Sequence, residues 1–179
     1  LRVTGDTQLK NFMSRAALDH FKVAIHAIGD EANAAALTAI EDMNQTYTGD
    51  RRWRIEHAQI LDPADIPRFA KAGVIASMQP VHQTSDRLMA EARLGPNRLS
   101  GAYAWASLTA SGAKLAFGSD VPVELADPCA GLAAAISRTG PDGLPLGGGQ
   151  PEERVSRELG LAAYTAIGAY AGFAEGRFG

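Results

Sequence analysis

The 179-residue sequence predicts an α/β fold built on a parallel sheet, and three observations lead to this prediction. Four short apolar stretches have the length and β-branched content of buried strands. A stretch with helical spacing follows each of them, and turn-forming residues separate the two. Because parallel strands need crossover helices, this alternation favours a parallel sheet with right-handed connections. The predicted strands are residues 23–27, 53–60, 74–80 and 113–120.

The helices between these strands are predicted from their start and stop signals. Asp62 followed by Pro63 is typical of an N-cap and a first helical position, and Gly73 is typical of a helix end. Residues 81–100 are polar and residues 140–151 are rich in glycine and proline, so both predict long loops. The predicted helices are residues 9–21, 31–44, 62–72, 102–111, 128–137 and 156–171.

Composition excludes several function classes. The chain has 17 basic and 20 acidic residues, a net charge of −3 and no basic run, which argues against a nucleic-acid partner. Its one cysteine, Cys129, excludes an intrachain disulfide, and no apolar stretch approaches the roughly 20 residues that span a bilayer. We therefore expect a cytoplasmic protein with no membrane partner.

The chemically unusual residues follow the four predicted strands. His26, His57, Gln79, His82 and Asp120 lie at or just beyond the carboxyl ends of these strands. In a (β/α)₈ barrel, that rim holds the active site. An open, doubly wound sheet instead collects site residues from two or three neighbouring strands in one crevice. Contributions from all four strands favour the barrel, and the doubly wound sheet remains the alternative.

The residue types point to a metal. Two imidazoles and a carboxylate, here His26, His57 and Asp120, are the ligand set of a catalytic divalent ion. These residues are 31 and 63 positions apart, so only the fold could bring them together. Each also has a structural explanation, because a histidine at a strand end is often simply hydrogen-bonded and Asp120 could cap a turn.

Neighbouring residues have other predicted roles. His82 and Gln79 are candidates for substrate binding, with hydrogen bonding to loop backbone as the alternative. Glu56 precedes His57 on the predicted strand, and neighbours on a strand point to opposite faces. If His57 faces the site, Glu56 is expected to face the helices as a buried structural partner.

Four stretches of the sequence resemble the metal-dependent amidohydrolase superfamily, and their order and spacing agree with it over nearly the whole chain. The likeness extends to the branch that includes N-substituted formamide deformylase. The four stretches are HAIGDEAN, RRWRIEHAQILDPADIPRFAKAGVIASMQPVH, LGPNRLSGAYAWASL and LAFGSDVPVELADPCAGL.

This resemblance implies a fold. The superfamily has a (β/α)₈ barrel with a small flanking β-sandwich, and the four predicted strands are similar to its fifth to eighth strands. Residues 1–179 are then expected to form a partial barrel domain: the C-terminal portion, about four βα units, that stops before the flanking β-sandwich is completed.

The resemblance also implies a function, which is hydrolysis of carbon–nitrogen bonds in small amide-type, non-peptide substrates. His26 and His57 match two metal ligands. Asp120 matches the aspartate that contacts the metal, takes a proton from the attacking water and returns it to the departing amine. The expected metal is zinc, with iron or manganese as alternatives.

One departure from the family qualifies this expectation. The family's first strand carries a His-x-His pair, and no such pair occurs among the four histidines of this chain. We therefore expect the chain alone to be inactive and to bind metal weakly. Because a half-barrel of four βα units exposes two sheet edges, we also expect the chain to self-associate through them. The alternative function is a non-catalytic binding or regulatory module, although a module without chemistry has no need of His26, His57 and Asp120 together.

Overall fold

The computed structural model describes residues 3–179 as alternating strands and helices. The four strands are β1 (Ala24–Ala27), β2 (Arg54–His57), β3 (Ile75–Met78) and β4 (Lys114–Phe117). The α-helices are α1 (Asp6–Leu18), α2 (Asp30–Thr46), α3 (Ile66–Ala72), α4 (Pro80–Ser85), α5 (Arg87–Leu94), α6 (Trp105–Ala110), α7 (Pro128–Ser137), α8 (Arg157–Tyr164) and α9 (Ala166–Ala171).

The sheet is parallel, and its strands lie side by side in chain order, β1-β2-β3-β4. In a doubly wound sheet the strand order reverses at a switch point, whereas barrel strands keep their chain order. The described strands show no reversal, so the sheet is a barrel segment of four βα units. The predicted α/β fold class is confirmed.

One face of the sheet is covered by helices and forms the main core. Ile55 of β2 is 0% exposed and packs among fully buried side chains of the covering helices, including Leu37 of α2, Phe69 of α3 and Trp105 of α6. Burying side chains of this size stabilises the fold by about 1.5–3 kcal/mol each. This layer holds the strands in place while their carboxyl ends remain free to carry polar residues.

The opposite face of the sheet, which would line a barrel interior, is more open. A small second core forms there where Ile75 and Ala116 pack against Tyr170 and Ala171 of α9. Glu56 does not face the helices as expected: because Ile55 takes the helix-covered face, Glu56 lies on the open face and pairs with Arg54.

Two local features differ from the sequence prediction. The segment expected to be a polar loop contains α4, which begins at Pro80, and α5, which ends at Leu94 with Gly95 as its C-cap. The last predicted helix is interrupted at Thr165, whose backbone is not helical (φ −119°, ψ −94°). The interruption separates α8, whose Ala163 packs in the main core, from α9, whose Ala171 packs in the second core.

None of the helices formed by residues 3–179 has both the length and the apolar character that crossing a membrane requires.

A close backbone approach at Gly101 secures the segment that follows β2. The Leu61 amide donates to the Gly101 carbonyl at 2.9 Å, and Ile60 pairs with Ala102 in an antiparallel bridge. A Cβ atom at Gly101 would lie only 1.8 Å from the Leu61 carbonyl oxygen, so no side chain fits there.

We therefore expect Gly101→Ala to lower the free energy of unfolding by about 1–3 kcal/mol, because the backbone must move to relieve the overlap. Urea denaturation followed by circular dichroism measures this change. Gly118→Ala is the matched control, since a Cβ at Gly118 has no neighbour within 4 Å. Equal stability of the two variants would contradict the assignment of Gly101 as a required close contact.

Candidate metal centre

The predicted site residues gather at the carboxyl end of the sheet. His26 is in β1 and His57 is the last residue of β2. Gln79 is the N-cap of α4, directly after β3, and His82 lies in the first turn of that helix. Asp120 follows β4 by three residues. All five positions therefore lie at one end of the sheet, as the prediction required.

Three of these residues bring metal-binding atoms close together. One ligand atom each from His57, His82 and Asp120 lie within 4.8 Å of one another. The rings of His57 and His82 are stacked with their centroids 5.9 Å apart. Both imidazoles are buried, whereas Asp120 is exposed. Two buried nitrogen donors thus face one carboxylate that solvent can reach.

His26 lies beside this cluster and not within it. The rings of His26 and His57 meet edge-on, with their centroids 4.5 Å apart. Among the described residues, however, only His57, His82 and Asp120 bring their metal-binding atoms within 4.8 Å of one another. The predicted set of His26, His57 and Asp120 is therefore only partly assembled. The third member of the cluster is His82, which the sequence predicted to bind substrate.

Left-handed backbone conformations place two of the cluster residues. His57 has φ 72°, Ala58 has φ 44° and Asp120 has φ 57°. Such conformations cost non-glycine residues about 1–3 kcal/mol each and concentrate at functional sites. Regular alternation would send the side chain of His57 to the same face as Ile55. The left-handed turn ends that alternation, and the imidazole lies beside His26 and His82 instead.

The path of the chain after β3 positions His82. Pro80 occupies the first position of α4, where its fixed φ favours helix formation. The His82 amide donates to the Gln79 carbonyl at 3.1 Å, which keeps the first turn of α4 close to the end of β3. Ser85, at the end of α4, donates to the Glu124 carboxylate at 2.7 Å and so links α4 to the segment that follows Asp120.

The environment of the His57 imidazole favours its neutral form. Burial lowers its pKa, and the nearby His26 lowers it further, while the hydrogen bond with Gln79 and the Asp120 carboxylate oppose this shift. A neutral imidazole is the form that binds a metal ion.

A divalent ion fits this donor set. The Nε2 atom of His82 is buried and has no hydrogen-bond partner among the described residues, which is costly for a polar atom unless something binds it. Ligands at zinc distances of 2.0–2.2 Å in a tetrahedral site are about 3.4 Å apart. Binding would require the cluster to contract by up to about 1.4 Å, and the Asp120 side chain is exposed and therefore free to rotate.

A buried group of polar contacts that follows β2 was not predicted. Gln59 donates through its side-chain amide to the Tyr103 hydroxyl at 2.7 Å, and its carbonyl accepts from the Tyr103 amide at 2.7 Å. Arg138, which is 0% exposed, donates to the Tyr103 carbonyl at 2.9 Å and stacks on Trp105. The burial of its guanidinium lowers the pKa of Arg138 to about 10. These partners are 33 or more positions apart in the sequence, and no local pattern connects them.

Comparison with known proteins agrees with this geometry. The chain is 37% identical over 183 residues to Protein LONG AFTER FAR-RED 3 of Arabidopsis thaliana, covering 100% of this chain and 31% of that protein. It is 36% identical over 138 residues to the putative amidohydrolase YtcJ of Bacillus subtilis, covering 77% of this chain and 26% of that protein. The chain thus spans about a third or less of the length of these curated relatives.

A solved structure shows the same architecture. An uncharacterized metal-dependent hydrolase from Pyrococcus furiosus superposes with a TM-score of 0.83 at 32% identity, covering 98% of this chain and 34% of that one. The profile of a family described as the amidohydrolase family matches residues 2–179. The chain therefore belongs to the amidohydrolase family.

Proposed function

We propose that this chain forms part of the active site of a metal-dependent hydrolase that cleaves carbon–nitrogen bonds in small amide-type, non-peptide substrates with water. The observation that carries the proposal is the cluster of His57, His82 and Asp120, whose ligand atoms lie within 4.8 Å of one another at the carboxyl end of the sheet. Membership of the amidohydrolase family supports the same reaction type. The branch resembling N-substituted formamide deformylase remains the proposed subgroup.

In this proposal, His57, His82 and Asp120 hold the ion, and His26 is a further ligand that moves toward it from its place beside His57. Zinc is the proposed metal, with iron and manganese as alternatives, because imidazole and carboxylate donors suit all three. When bound, such an ion polarises a carbonyl oxygen and lowers the pKa of water to about 7.

Asp120 is the proposed catalytic base. Its carboxylate accepts the proton from the attacking water on one oxygen and later gives that proton to the departing nitrogen. The exposed position of Asp120 suits this exchange, because the side chain can reach both solvent and a substrate above the rim. His57 and His82 are buried, so their proposed role is to hold the ion in position rather than to exchange protons.

The chain lacks a His-x-His pair, since its histidines are His20, His26, His57 and His82. We propose that turnover requires further strands supplied within a longer polypeptide, and that this chain alone is inactive. The alternative function, a binding or regulatory module, predicts that such a longer polypeptide binds an amide without hydrolysing it.

Metal binding by this chain is the first test. We expect zinc affinity to fall at least about tenfold in His57→Ala and in His82→Ala. Removing a residue that only orients a metal ligand already lowers metal affinity by about 10- to 100-fold, and removing the ligand itself should lower it at least as much. Competition against a chromophoric chelator measures the affinity. His20→Asn is the control, since His20 is exposed and outside the cluster of His57, His82 and Asp120, and asparagine tolerates its left-handed backbone. Wild-type affinity in His82→Ala would contradict the proposed centre.

Turnover by a longer polypeptide that contains this chain tests the base. We expect Asp120→Asn to reduce kcat by about 10²–10⁴, because an amide cannot accept the proton. Asparagine also tolerates the left-handed backbone of Asp120, so the urea unfolding midpoint should not change. Kinetics on a panel of small N-formyl and N-acyl amines provide the measurement. Retained kcat in Asp120→Asn would rule out this residue as the base.

Self-association is expected because β1 pairs with β2 and leaves its other edge unpaired among the described strands. Sedimentation equilibrium should show an average mass that rises with concentration. Ala24→Lys should weaken this association by placing a charge on the exposed edge strand, whereas Ala130→Lys on α7 should not. A monomer at every concentration would show that the exposed edge does not drive association.

A further inference from the structure

A hydrogen bond between Gln79 and His57 has a chemical consequence for the proposed metal centre. The Gln79 side-chain oxygen, Oε1, lies 2.9 Å from Nδ1 of His57, and both residues are 8% exposed. An amide oxygen can only accept a hydrogen bond. In this arrangement, Nδ1 of His57 must therefore carry the proton that is donated.

The position of this proton determines which nitrogen is free. A neutral imidazole carries one proton, so a His57 protonated at Nδ1 has an unshared electron pair at Nε2. The electron pair of Nε2 is what a metal ion binds. The reverse tautomer would place a hydrogen atom on Nε2 and block that approach.

Gln79 also supports the second buried imidazole. The backbone carbonyl oxygen of Gln79 accepts a hydrogen bond from the backbone amide of His82 at 3.1 Å, in the first turn of α4. The residue thus contacts His57 through its side chain and His82 through its backbone. Both contacts follow from its position between β3 and α4.

We propose that Gln79 is a positioning residue that holds His57 in the Nδ1-protonated tautomer and presents its Nε2 atom to a divalent cation. The identity of the cation rests on the proposed function, whereas control of the tautomer does not. This role replaces the expectation that Gln79 binds substrate, because its oxygen is engaged by His57 and little of its side chain is exposed.

The other neighbours of the His57 ring do not perform this task. His26 meets the ring edge-on and His82 stacks on it, and neither has a hydrogen bond with Nδ1. Asp120 contributes its charge to the environment of His57. Within residues 3–179, Gln79 alone provides a hydrogen-bond partner for this imidazole.

The tautomer can be observed without a metal by long-range ¹H–¹⁵N correlation NMR of the imidazole nitrogens. In the wild-type chain, we expect the protonated nitrogen of His57 to be Nδ1. Gln79→Leu removes the acceptor and should shift the population toward the Nε2-protonated tautomer. Gln79→Glu keeps an acceptor oxygen and should retain the wild-type pattern.

Zinc affinity of the same variants provides the second measurement. We expect about a 10- to 100-fold loss in Gln79→Leu, the usual effect of removing a group that orients a metal-binding histidine, and little loss in Gln79→Glu. Gln83→Leu is the matched control. Gln83 is also a buried glutamine, 2% exposed on α4, but its amide faces the Gly149 carbonyl at 3.5 Å.

The outcomes separate the two proposals. Protonation of wild-type His57 at Nε2, or an unchanged tautomer in Gln79→Leu, would overturn the role of Gln79. An equal loss of zinc affinity in Gln83→Leu would overturn it as well, because the effect would then be one of packing. If the tautomer depends on Gln79 but the wild-type chain binds no zinc, the metal centre fails while control of the tautomer by Gln79 stands.

Discussion

The left-handed turn at His57 and Ala58 is the constraint on which the site depends. A strand delivers alternate side chains to alternate faces, and in β2 the helix-covered face belongs to Ile55. Continued alternation would place His57 in the apolar core, where an imidazole has few partners. The turn brings it beside His26, His82 and Gln79 instead.

The surrounding backbone holds this strained turn in place. The Ala58 amide donates to the Ala27 carbonyl at 3.1 Å, and the Ile60 amide donates to the Ile28 carbonyl at 2.9 Å. Gln59 and Leu61 form hydrogen bonds with Tyr103 and Gly101, and Arg138 donates a further hydrogen bond to the Tyr103 carbonyl. Hydrogen bonds of this kind contribute about 0.5–1.5 kcal/mol each, so together they offset the cost of the turn.

The strand–helix alternation of the sequence was sufficient to predict the sheet and to place the candidate site residues at its carboxyl end. His26, His57 and Asp120 were identified because each follows a short apolar stretch, and chain-order pairing of parallel strands brings such ends together. The position of His82 was not predictable in the same way. It depends on α4, a helix of six residues whose polar sequence resembles a loop.

Two further features lay beyond the reach of local patterns. Strict alternation through His57 predicts that Glu56 faces the helix layer, and the left-handed turn at His57 breaks that alternation. The contacts of Gln59, Tyr103 and Arg138 join distant parts of the chain, so only the assembled fold reveals them. Both cases involve tertiary contacts that override local rules.

The central claim is that His57 and His82 bind one ion together with Asp120. The most direct measurement is the residue-resolved ¹⁵N NMR spectrum of the imidazoles during saturation with zinc. We expect the resonance of one imidazole nitrogen in His57 and of one in His82 to shift at the same zinc concentration, while the His20 resonances stay in place. A His82 resonance that does not respond when His57 is saturated would contradict it.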